Sequence, residues 1–130
     1  MPVLDASCAI ELVLDGEAQA RVLRALGGEV ADAPEIIHLE ALQTLRGLVR
    51  GGKVPLERAT SAAHKLATLH IQSHEHRPLH LRIWDLRDRC SAYDAAYVAL
   101  AERLDTRLVT ADGRLARGVD DIVRVVVIDL

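Results

Sequence analysis

The segment Ser91-Ala92-Tyr93-Asp94-Ala95-Ala96-Tyr97-Val98-Ala99-Leu100-Ala101-Glu102-Arg103 is so rich in Ala and Leu that it reads as a helix apolar nearly all round. A helix of that kind is buried. It still carries Asp94, and taking an unpaired carboxylate out of water costs several kcal/mol or forces it to bind a proton. Two explanations stand side by side. Ser91 three positions before Asp94 is close to a capping box, and an acid in the first turn suits the helix dipole. Alternatively, Asp94 belongs to a site. The neighbouring run Arg107-Leu108-Val109-Thr110-Ala111-Asp112-Gly113 reads as a short strand that stops at a second acid and a glycine. Helix, strand and acid at the strand's carboxyl end make an αβ unit, and open α/β sheets place their sites at that edge.

The rest of the chain repeats this alternation. Val3 and Leu4 start a short strand, Asp5-Ala6-Ser7 turns, and Cys8 to Leu14 begins a helix; Asp5 is an N-cap or a third acid at a strand end. Ala18 to Leu26 reads as a helix ended by Gly27-Gly28. Ala31-Asp32-Ala33-Pro34 is expected to open a helix with Pro in its first turn, running from about Glu35 to Arg50 and stopped by Gly51-Gly52. Its buried stripe is Ile37, Ala41, Leu45, Leu48 and Val49. Glu40 lies off that stripe beside Ile36, Thr44 and Gly47, as a solvated acid or a fourth member of a site. Pro55 starts a helix to about Leu69, His70 to His74 is a possible strand, and Pro78 to Cys90 is a further helix. Asp112 to Arg117 forms at most two turns, and Ile122 to Ile128 is the most β-prone run, a final strand. Strands alternating with helices predict an α/β fold with a mostly parallel sheet.

With 130 residues, half of them apolar, the chain is the size of one domain with a real core, and no linker or repeat divides residues 1–130. It has no Phe, one Trp and two Tyr, so the core is Leu, Val, Ile and Ala, with little material for base-stacking platforms. A net charge of −3 excludes a generic nucleic-acid binder, so such a role needs a local Arg surface or bound metal. Cys8 and Cys90 are isolated and read as reduced, buried thiols of a cytoplasmic protein. No window approaches a membrane span or an export signal, and no membrane association is expected. The tract His64 to His80, with His74-Glu75-His76, lacks a Cys partner and a helical i, i+4 pair of His, so it reads as a polar surface loop rather than a zinc site.

Asp5, Glu40, Asp94 and Asp112 are far apart in sequence but converge if their strands share a sheet. Four acids in one cleft repel one another, and a hard cation such as Mg²⁺ or Mn²⁺, with carboxylate and water ligands, relieves that repulsion. The chemistry of such a site is metal-assisted phosphodiester hydrolysis.

Over essentially its whole length the chain resembles a PIN domain, and within that family a VapC-type toxin ribonuclease of a type II toxin-antitoxin system. The carrying stretches are Val3-Leu4-Asp5-Ala6-Ser7, Glu40 in Leu39 to Arg46, Ser91 to Glu102, and Leu108 to Leu115; the last two are specific in order and spacing. Cys8 departs from the family, which more often has an aliphatic residue or Ala there, and bears only on packing. The resemblance implies a Rossmann-like three-layer sandwich, a Mg²⁺- or Mn²⁺-dependent endoribonuclease, a homodimer, and a VapB-type antitoxin partner. It makes Asp5 and Asp94 the most direct metal ligands, Asp112 a further ligand or water-positioner, and Glu40 a ligand or base. Ser7 and Thr110 would then hydrogen-bond the carboxylates. Arg46, Arg50, Arg114 and Arg117 would contact RNA phosphates, or are simply solvated helix ends. Competing readings are a catalytically silent PIN-like scaffold, and the same chemistry on DNA.

Overall fold

The computed structural model describes residues 1–130. Its elements in chain order are β1 (Val3–Leu4), α1 (Ala6–Val13), α2 (Gln19–Leu26), β2 (Ala31–Pro34), α3 (Ile36–Arg50), α4 (Leu56–Thr68) and β3 (Ile71–His74). A short 3-10 turn (Arg77–Leu79) leads to α5 (His80–Asp85), α6 (Ala92–Arg103), β4 (Leu108–Thr110), α7 (Gly113–Val119) and β5 (Val125–Val127). The strands form one sheet in the order β3-β2-β1-β4-β5, and every pair is parallel. Val3 stands opposite Asp32 on one side and Leu108 on the other.

From β1 the chain winds outward through β2 to β3, then returns across the sheet to β4 and β5. Right-handed crossovers therefore put α1 to α4 on one face and α5 to α7 on the other. The packing agrees: α1 touches α2, α3 and α4, while α6 packs on α5 and on the central strands β1, β2 and β4. This is a three-layer α/β sandwich. The direction of winding reverses between β1 and β4, the place where such sheets leave a crevice at their carboxyl ends.

The α6 segment is buried as its composition demands, with Ala95 to Ala101 all inaccessible. Small side chains let it lie close on the strands, and Val3, Leu4, Leu108 and Val109 are fully buried beneath. A second, smaller apolar cluster of Ile10, Val13, Ala41, Leu45, Ala62 and Leu66 joins α1, α3 and α4. Of the stripe predicted on α3, Ile37, Ala41 and Leu45 are buried, while Leu48 and Val49 are only partly so. Gly27 ends α2 in the left-handed conformation, with φ 63°, as a Gly after a helix does.

Three expectations are corrected. Ala31–Pro34 does not open a helix; it is strand β2, buried at every residue and hydrogen-bonded between β1 and β3. It has no β-branched residue, so its conformation comes from two neighbouring strands rather than from propensity. The helix expected over Pro78 to Cys90 is split into a 3-10 turn and a helix ending at Asp85. The final strand contracts to Val125–Val127, because β4 offers only three residues to pair with. No helix is long and apolar enough to cross a membrane. Both cysteines are free thiols, Cys8 buried and Cys90 partly so. Burial, with the charge of Asp5, pushes the Cys8 thiol up to about 12.

Candidate metal centre

At the end of β1, Asp5 leaves the sheet with extended backbone and caps α1, its Oδ1 accepting the Ser7 amide at 2.8 Å. The Ser7 hydroxyl donates to the same oxygen, and the Thr110 hydroxyl donates to Oδ2 at 2.5 Å. Each hydroxyl is held from behind: Ser7 Oγ accepts the Ala111 amide at 3.1 Å and Thr110 Oγ1 accepts the Asp112 amide at 3.0 Å. Two hydroxyls thus tie the end of β1 to the loop after β4. Asp5 is buried, and its orientation is set by these donors.

Asp112 caps α7 with Oδ1, which accepts the Arg114 and Leu115 amides at 3.0 and 3.1 Å. The cap is a second role for this residue, since the same side chain lines the acidic cleft. Asp94 differs. Ser91 is the cap of α6, accepting the Asp94 amide at 3.1 Å, and the reciprocal half of a capping box is not made. Burial raises the Asp94 carboxyl above the usual carboxylate range, and the charges of Asp112 and Asp5 raise it further. Glu40, one turn into α3, receives the Tyr97 hydroxyl at 2.7 Å. Burial raises it too; the Tyr97 bond opposes the shift, and Asp94 and Asp5 add to it. Because α3 and α6 lie on opposite faces of the sheet, this bond joins the two helical layers across the crevice.

Asp5, Glu40, Asp94 and Asp112 line one cleft of about 560 Å³, together with Ser7, Ile36, Leu39, Gln43, Thr44, Tyr93 and Tyr97. No Lys or Arg is among its lining residues. The donor set is all oxygen and anionic, which suits a hard divalent cation. No group of three His, Cys, Asp or Glu side chains stands close enough to hold a metal ion by itself. The fit is to an ion that keeps much of its water and takes one or two carboxylates directly, as Mg²⁺ commonly does, rather than to a cage of Asp5, Asp94 and Asp112 together.

Of the arginines, Arg114 and Arg117 lie on α7, the helix capped by Asp112. Arg46 and Arg50 line a different groove, between α3 and α4, with Leu42, Leu45, Val49 and Leu56. The site residue missed in sequence is Tyr97. Its signal was a phenol in an otherwise apolar helix, since a buried Tyr hydroxyl normally finds a partner. Nor is the tract His64 to His80 merely a solvated loop: His74 Nε2 meets the buried Asp32 carboxylate at 2.7 Å.

The PIN domain family model matches residues 3–120. Ribonuclease VapC12 of Mycobacterium tuberculosis is 37% identical over 117 residues, spanning 90% of this chain and 91% of that protein. Ribonuclease VapC1 of the same species is 36% identical over 116 residues, 88% of this chain and 87% of that one. Among solved structures, PAE2754 from Pyrobaculum aerophilum superposes with a TM-score of 0.69 at 23% identity, covering 89% of this chain and 77% of its own, a likeness of fold. By a family match over most of its length and by these relatives, the chain belongs to the PIN domain family, within its VapC group.

Proposed function

We propose that this chain, acting as one domain over residues 1–130, is the toxin of a toxin-antitoxin module. In this reading it is a Mg²⁺- or Mn²⁺-dependent endoribonuclease that hydrolyses RNA phosphodiester bonds in the cytoplasm. A VapB-type antitoxin restrains it, and it works as a homodimer. The observation that carries the reading is the convergence of four acids in one cleft without a cation among the lining residues, in a chain similar to proteins named VapC ribonucleases. Folding alone does not ask for that convergence, because like charges brought together out of water cost stability.

When bound, a divalent ion supplies water activation and neutralises charge developing on the phosphate. Asp5 and Asp94 would hold it directly, and Asp112, through the oxygen not spent on capping α7, would position a water. Ser7 and Thr110 hold the Asp5 carboxylate in one orientation. Burial raises the Glu40 carboxyl above its ordinary value, and a more basic carboxylate is better suited to take a proton from the attacking water. Tyr97 holds Glu40 in place and stays protonated, since burial and the Glu40 bond raise its phenol far above its ordinary value. Arg114 and Arg117, on the helix that Asp112 caps, would contact the phosphate backbone.

Purified protein should cleave RNA with Mg²⁺ or Mn²⁺, and Asp5→Asn or Asp94→Asn should abolish cleavage. Persistence in EDTA would sink the metal mechanism. Expression without a partner should arrest growth, and an antitoxin segment carrying Arg or Lys into the acidic cleft should relieve it. High-level harmless expression of folded protein would count against a toxin.

A further inference from the structure

The helix that carries Glu40 begins without a cap of its own. Glu35 stands at the N-cap position of α3 and its side chain accepts no hydrogen bond there. A helix start leaves backbone N–H groups without intrahelical partners, and these must be met from elsewhere. Here the first of them, and the amide of the cap residue, are met by the histidine tract. The Glu35 amide donates to the His74 carbonyl at 2.9 Å, and the Ile36 amide donates to His76 Nε2 at 3.1 Å. In the same turn, His38 Nε2 lies 3.2 Å from Ser73 Oγ. Ser73 and His74 belong to the edge strand β3, and His76 lies two residues past its end; the strand is held in full register along β2 and pinned by His74 Nε2 against Asp32, whose side chain is 4% exposed.

We infer that His76 is a positioning residue for Glu40: by accepting the Ile36 amide it fixes the first turn of α3, and so the height at which Glu40 stands over the acidic cleft. Accepting an N–H through Nε2 requires the lone pair there, so the ring is the tautomer with its proton on Nδ1. Glu40 follows Ile36 by one turn, and both line the cleft. The carboxylate has one side-chain anchor, Tyr97 on the opposite layer, so its position depends on that bond and on where its own helix starts. A clamp from the end of β3 and the residues just past it locates that start relative to the sheet, where Asp5 is rooted. The inference rests on the proposed nuclease reading for its consequence, though not for its geometry.

The test uses the intact chain and four variants, His76→Ala, His76→Gln, Tyr97→Phe and the double variant His76→Ala/Tyr97→Phe. Gln places a carbonyl oxygen near the position of Nε2, so it is the conservative rescue. Amide hydrogen exchange without metal should be faster at Ile36 and the rest of the first turn of α3 in His76→Ala, on the order of tenfold for one lost hydrogen bond, and largely restored in His76→Gln. With Mn²⁺ and a mixed-sequence single-stranded RNA oligonucleotide, His76→Ala should lower kcat by about tenfold with little change in KM. If both anchors act through the Glu40 carboxylate, the double variant should lose less than the product of the single losses. Losses that multiply, a change confined to KM, or faster exchange with kcat intact would each overturn the inference. So would unchanged exchange. If His76→Ala does not fold, His76→Asn, which stops short of the Ile36 amide, takes its place under the same criteria. A wild-type chain inert toward RNA would reject the nuclease reading while the exchange comparison still decided whether the clamp exists.

Discussion

Thr110 gives its hydroxyl proton to Asp5 and receives the Asp112 amide, so one fully buried oxygen orients two of the acids. Thr110→Val keeps the shape and removes both bonds. It should lower stability by about 1–3 kcal/mol, because the Asp112 amide loses its acceptor, and weaken metal binding by loosening Asp5. Urea unfolding and a Mn²⁺ titration would read the two effects. For Asp94 the expected sign is opposite. Its carboxyl is raised by burial and by Asp112 and Asp5, so ionising it costs the metal-free fold. A raised folded-state pKa means that stability is gained below the unfolded value and lost as pH climbs through the folded one. The metal-free protein should therefore gain stability as pH falls from neutral toward the ordinary carboxylate range of about 4, because Asp94 and Glu40 take up protons above that range. Asp94→Asn should lack its share of that gain and, at neutral pH without metal, melt at the same temperature or higher. Melting lower would mean that the residue acts as a helix cap. Below that range the trend reverses. Asp15, held down by Lys65, and Asp121, held down by Arg89, lose their partners' help as they protonate.

Helix α6 meets two demands that conflict at the level of single residues. It fills the middle of the molecule with Ala and Leu, and it presents Asp94 and Tyr97 to the crevice at its amino end. The spacing reconciles them, since residues three apart share a face of a helix. Tyr97→Phe separates the two roles, because the ring stays and only the hydroxyl goes. Its bond lowers the Glu40 carboxyl against the upward push of burial, so losing it should raise that carboxyl further. A base protonated at higher pH gives a cleavage profile whose acid limb moves upward. A profile that keeps its acid limb and only drops in height would instead mean that Tyr97 positions Glu40 without tuning its proton. Helix α3 contrasts with α6: its start is met by His74 of β3 and by His76 just past that strand, residues that follow it by a whole helix and loop in sequence.

For the molecule as a whole, the sheet order decides where charge collects. The net charge is only −3, yet four of the 19 acids face one crevice at the point where the winding reverses. A cation that binds only the folded state should stabilise it by RT ln(1 + [L]/Kd), about 2.7 kcal/mol at a hundredfold excess over Kd. For a domain of this size that is on the order of 10 °C in melting temperature. Thermal melts in EDTA and in Mg²⁺ or Mn²⁺ should show the rise, and Asp5→Asn and Asp94→Asn should reduce it. An identical rise in both variants would place the ion elsewhere.

Much of this was legible in the chain itself. The burial of Ala95 to Ala101 follows from composition, and the alternation of strands and helices from periodicity and turn residues, because both are local properties. Asp5 and Asp112 announced themselves as acids at strand ends for the same reason, and Asp5 also as a cap, because a strand end followed by a helix start needs an acceptor within two or three residues. What tertiary structure alone decided is non-local. Ala31–Pro34 has no strand propensity and is a strand because β1 and β3 flank it. The Glu40 to Tyr97 bond spans 57 residues and the Thr110 to Asp5 bond 105, separations at which no sequence spacing predicts contact. The histidines looked like a solvated loop because their partners, the Ile36 amide and Asp32, come within reach only once β3 has paired with β2. Sequence by itself determined the burial of α6 and the acids Asp5 and Asp112 at strand ends; the parallel sheet, by bringing those ends to one edge with α3 and α6 on either face, decided that Glu40 and Asp94 share their cleft.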